Sequence, residues 1–189
     1  MGEALGRLEH LLPTQVPALW ESLRPPCAAA DLDALRRAVE PHELTDDIVE
    51  VLKWRDGQVW TAGTWWPVLN SGRLLSAREA VEHYVSMCKI CEPEQWTESW
   101  LPITHEGWYQ TAIELDRPLR GLVVEGSFPD PPHPFAPSLT AVMHASCELI
   151  EEGLVPEPEG SGHHVLVWRR RCSEVLRACY RWYGWAPAL

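Results

Sequence analysis

Ser76-Ala77-Arg78-Glu79-Ala80-Val81-Glu82-His83-Tyr84-Val85 is followed, a short polar link later, by Trp100-Leu101-Pro102-Ile103-Thr104. The first stretch opens with a capping box. A serine hydroxyl accepts from the backbone three residues on, and the glutamate there reaches back to the serine N–H. Apolar residues at Ala77, Val81, Tyr84, Val85, Cys88 and Cys91 then form one predicted helical face. The second stretch changes period from 3.6 to 2. It predicts a strand, as do Trp108–Leu115 and Gly121–Glu125.

Upstream, helical spacing recurs. Leu5, Leu8, Leu12, Val16, Leu19, Trp20 and Leu23 predict an opening helical region over 5–24, broken at Pro13 and Pro17. A helix over 31–40 is expected with Asp31 as its cap, and another over 45–55 with Thr45 as its cap. Asp56-Gly57 ends the latter, since glycine tolerates the left-handed conformation. Residues 58–75 read as short extended pieces with turns. Residues 128–137 hold five prolines and read as an irregular loop. Ser138 starts a last helix running to about Glu152, with Leu139, Val142, Met143, Ser146, Leu149 and Ile150 on one side. Helices, then strands, then a helix define an α+β class: a mostly antiparallel twisted sheet with helices packed against it. The expected organisation is a domain over 1–153, a linker over 154–162 rich in Pro, Glu and Gly, and a basic aromatic C-terminal helix over 163–189.

Charge follows that division. The whole chain of 189 residues carries −11, but residues 1–162 carry −15 and residues 163–189 carry +4. An acidic body repels nucleic acid and anionic membrane and speeds encounter with a basic partner; it also serves solubility. Tail arginines 169–171 beside Trp168 are expected to pair with the acidic body while the apolar stripe docks on it. No stretch approaches the ~20 apolar residues of a membrane span. The N-terminus, with Glu3 and Glu9 among its first residues, lacks the pattern of a secretory signal. A cytoplasmic location, with its six cysteines as thiols, is expected.

Motifs for chemistry are sparse. Cys88-Lys89-Ile90-Cys91 is half of a zinc site without a second pair, and both thiols fall on the apolar face of the capped helix. Neither H-E-x-x-H, a nucleophile elbow nor a phosphate loop occurs in the sequence. The expectation is no catalytic residue, no metal and no cofactor. Eleven tryptophans stand out, because indole is enriched both in cores and in partner-binding hot spots. Trp65, Trp66, Trp108 and Tyr109, with the acidic Glu106 and Asp116, are the candidate partner contacts; core packing is the competing reading of each tryptophan. Trp54 and Trp100 are expected in the core.

In order and spacing, several of these pieces resemble the SUKH superfamily, the Smi/Knr type. Leu32…Leu35…Leu44-Thr45…Ile48…Leu52…Trp54-Arg55-Asp56-Gly57 is similar to its opening. Trp66-Pro67 followed by Leu74-Leu75-Ser76…Ala80…Tyr84 resembles its loop and capped helix. Trp100-Leu101-Pro102-Ile103, Leu122-Val123-Val124-Glu125 and Ala136-Pro137-Ser138-Leu139 resemble its later strands and last helix. The chain departs from the pattern at His105–Tyr109, where many relatives carry a Gly-rich acidic turn. The resemblance covers roughly residues 5–153. It implies an α+β fold without an established catalytic site. It further implies a protein-binding trade: bacterial members are inferred to be immunity proteins that neutralise toxins, such as nucleases, and fungal relatives act as scaffolds in larger complexes.

Overall fold

The computed structural model describes residues 1–60, 64, 66, 69, 72–107, 109–127, 130, 132–154, except for the side chain of Glu106. Trp65, Trp108, the linker beyond Leu154 and the tail over 163–189 lie outside the described residues.

Four helices come first: α1 (Gly2–Gln15), α2 (Pro17–Ser22), α3 (Ala29–Ala38) and α4 (Asp46–Trp54). Next come β1 (Arg73–Leu74), α5 (Ala77–Ile90), β2 (Trp100–Glu106), β3 (Tyr109–Glu114), β4 (Val123–Ser127), β5 (His133–Ala136) and α6 (Leu139–Glu151). The described strands form one sheet in the order β1-β2-β3-β4-β5, and every pairing is antiparallel. This is an α+β domain.

Several expectations shift in detail. Pro13 lies inside α1, and the break falls at Val16, before Pro17 at the first turn of α2. A residue preceding proline is pushed out of the helical region, and Val16 takes φ −138°. Ala28, not Asp31, caps α3; Asp31 sits in the first turn, where its charge suits the helix dipole. Thr45 occupies the N-cap of α4 but makes no capping bond, and its buried hydroxyl has no partner among the described residues. The five-proline stretch contains β5, which pairs with β4 through Val124↔Pro134 and Glu125↔His133. Pro134 is tolerated there because β5 is the edge of the described sheet.

Asp56 and Gly57 seat α5. The Asp56 carboxylate accepts from the Ala77 N–H at 2.8 Å, beside the capping box made by Ser76 and Glu79. Gly57 has φ +70°, and its Cα passes so close to the Leu75–Ser76 peptide that a Cβ would lie 2.4 Å from Leu75 C and Ser76 N. Gln58, fully buried, then ties three segments together. Its amide donates to Ser22 Oγ and Thr64 O and accepts from the Leu74 N–H.

Across the sheet, Leu101, Ile113, Val123 and Ala136 form one cross-strand row. They join the main core with Leu8, Leu12, Leu35, Leu52, Trp66 and most of α6. Alternation sends their neighbours Ala112 and Val124 to the opposite face. There a smaller cluster forms with Met87, Trp96 and Leu122. In α5 the buried residues are Ala77, Ala80, Tyr84 and Met87, while Val85 is exposed and Cys88 and Cys91 are half-buried. The helix is therefore rotated from the face predicted through Val81, Val85 and Cys88.

Candidate functional site

The C-terminal end of α5 and the link that follows it bound a cleft of about 400 Å³. Cys88, Cys91, Pro93, Trp96, Thr97, Glu98 and Ser99 line one side; His42, from the α3–α4 link, and Asp116, just beyond β3, close the other. Its walls are fixed by hydrogen bonds. Tyr84 Oη donates to the Glu98 carbonyl at 2.8 Å, and the Leu115 N–H donates to the Ser99 carbonyl at 2.8 Å. Glu114 accepts from Trp100 Nε1 and from the Asp116 N–H, which holds Asp116 at the rim. His42 Nδ1 and Asp116 Oδ1 are 2.7 Å apart. Trp96 packs edge-on against Trp100, with ring centroids 5.6 Å apart.

The electrostatics are one-sided. Burial pushes the Cys88 thiol up and the nearby Glu98 carboxylate adds to this, outweighing hydrogen bonding with Tyr84 and Trp96 that pulls the other way; burial also raises Cys91. Both thiols lie at the C-terminal, electronegative end of α5, opposite in sense to the helix N-termini that activate C-x-x-C thiolates. They stay protonated at neutral pH, so the cleft presents neutral thiols and a carboxylate rim. Among the described residues no group of three or more His, Cys, Asp and Glu side chains is arranged to hold a metal ion. What the arrangement can do is accept positive charge and hydrogen-bond donors.

Among the described residues, the predicted contacts do not share one surface. Asp116 is exposed and lies at the cleft. Tyr109, also exposed, stands at the opposite end of β3, about 20 Å away at strand rise. Trp66 is no contact residue: it is fully buried, donates from Nε1 to Ser146 Oγ at 2.8 Å and meets Trp54 edge-on. A ring enclosed by the core has no face left for a partner. Glu106 closes β2 opposite Tyr109, and Trp65 and Trp108 fall outside the described residues. Trp54 and Trp100 are partly buried against the two clusters.

Sequence reasoning took Cys88 and Cys91 as core and passed over Trp96 and Glu98. A signal existed: a tryptophan set among Glu92, Glu94 and Glu98 in a proline-containing link has no periodic reason to be apolar.

The fold and cleft define an α+β domain with an acidic, thiol-lined recess. No family model and no curated protein matches the chain. Among the described residues no helix is long and apolar enough to cross a membrane.

Proposed function

We propose that this chain is a SUKH-like, non-enzymatic protein-binding domain of the cytoplasm, acting as an immunity protein that neutralises a basic toxin by direct binding. The observation that carries this reading is the acidic rim of the cleft, set on a body whose charge is −15 over residues 1–162. Such a surface steers a basic partner toward it and accepts its cations. The motif order supports the family reading in a physical way, since the Asp-Gly turn and the capped helix interlock through Asp56, Gly57 and Ala77. An adaptor holding a larger complex is the second reading. It is favoured by exposed apolar side chains away from the cleft, Trp60 and Val59 among them.

Co-expression with a toxin gene neighbouring this one tests the first reading, and lack of any such neighbour overturns it. Growth is restored if the chain neutralises the toxin. Continued killing, with no complex formed by the purified pair, overturns it. Recovery of several stable subunits in place of one toxic enzyme selects the adaptor.

A further inference from the structure

We infer that Cys88 and Cys91 form a two-coordinate site for a soft monovalent metal ion, copper(I), held between their sulfurs in the cleft. This site stands apart from the protein-binding reading, because its chemistry involves two thiols and no partner protein. In sequence the pair is half of a zinc site, since a structural zinc takes four ligands. For an ion that takes two ligands the same pair is complete. Soft copper(I) selects thiolate sulfur, whereas carboxylate oxygen suits harder ions. The fold brings both thiols to one place. They are half-buried and line one cleft of about 400 Å³, while Cys27 and Cys147 line no part of it. Among the described residues no third His, Cys, Asp or Glu is arranged with them for a metal, which suits twofold coordination and disfavours zinc.

Spacing favours an ion over a disulfide. The Cys91 N–H still donates to the Met87 carbonyl at 3.0 Å, so helical spacing holds as far as Cys91. Side chains three residues apart on a helix have Cβ atoms about 5–6 Å from each other. A disulfide needs about 3.5–4.5 Å, which would pull the last turn open. Two metal–sulfur bonds of about 2.3 Å, the zinc–thiolate length, span roughly 4.6 Å between sulfurs when they lie in line, a gap that helical spacing accommodates. Binding is an exchange of protons for metal. Each S–H gives its proton to solvent, two S–Cu bonds form, and the copper stays in the +1 state. The product carries one negative charge. Tyr84 and the Trp96 indole hydrogen-bond with Cys88, and these bonds favour its charged form. The negative end of the α5 dipole, which opposes a bare thiolate, is met by the cation.

The test uses the full chain carrying Cys172→Ser and Cys179→Ser, so that thiols of the tail do not compete. The probe is copper(I), delivered without oxygen as its bicinchoninate complex. This background chain should withdraw one equivalent of copper(I), read as loss of the visible absorbance of the chelator complex. Cys88→Ser and Cys91→Ser, each made in that background, should lose the equivalent while far-ultraviolet circular dichroism stays unchanged. Cys91 lies at the end of α5, so Cys91→Ser carries the test alone if Cys88→Ser fails to fold. Zinc ion added in excess should leave the copper in place. Three results would overturn the inference: no withdrawal by the background chain, equal withdrawal by it and by either folded variant, or displacement of the copper by zinc.

Discussion

Gly57 meets two demands that only glycine satisfies together, a positive φ and a backbone approach too close for a Cβ. Gly57→Ala should lower stability by about 3 kcal/mol or more in urea unfolding, since strain and clash add. Gly107, at φ +57° with open space around it, is the control. Gly107→Ala should cost only about 1 kcal/mol, the conformational part alone. Glu79 sets an acid limit. Burial alone would raise its pKa, but bonds from the Arg24 and Arg73 guanidiniums and from Ser76 hold it well below the ordinary carboxylate range. Its stabilisation is therefore complete above about pH 4.3 and drains away as acid protonates it. His83 acts in a higher window. Burial, and then the charge of His105, whose ring is tilted against it with centroids 4.2 Å apart, lower its pKa. The unfolded chain thus takes up this proton more readily, and stability should fall as pH drops below about 6.5. His83→Gln should flatten the upper step, and Glu79→Gln the lower one, in unfolding free energy measured from pH 7 to 3. Trp66 shows what residue type cannot convey. Its partner Ser146 lies on α6, far along the chain, and no local spacing announces that bond.

At the scale of elements, α5 carries the most information. Its start was legible because capping is local chemistry: Ser76 Oγ accepts from the Glu79 N–H, and the Glu79 carboxylate from the Ser76 N–H. Ser76→Ala should lower stability by about 1 kcal/mol, read from the thermal midpoint. The face α5 buries was legible only in part. The predicted stripe runs through Ala77, Val81, Tyr84, Val85, Cys88 and Cys91, and of these Ala77 and Tyr84 are buried, joined by Ala80 and Met87 from the flank that the stripe left out. Packing chose the face with Tyr84 and Met87, whose larger side chains fill the space over the sheet. That choice turned Cys88 and Cys91 toward the cleft. β5 escaped because prolines read as loop, whereas an edge strand needs hydrogen bonds on one side only. α6 presents the opposite case. Leu139, Val142, Met143, Ser146, Leu149 and Ile150 are all buried as spacing predicts, and Ala141, Ala145 and Cys147 are buried as well.

For the whole molecule, the α+β class followed from the order of periodicities, and the acidic character followed from counting charges. The cleft followed from neither. It is assembled from His42 of the α3–α4 link, the end of α5 with the link that follows it, and Asp116 just beyond β3, which only the folded chain brings together. An acidic surface that recruits a basic partner should be salt-sensitive: association should slow by about tenfold or more between 20 and 300 mM salt, with a smaller change in dissociation. Calorimetric titration of the full chain with the candidate toxin of the proposed function, at low and at moderate salt, tests the central claim most directly. The account predicts a one-to-one complex that weakens with salt and with Asp116→Asn. Absence of a complex at micromolar concentrations in low salt would contradict it.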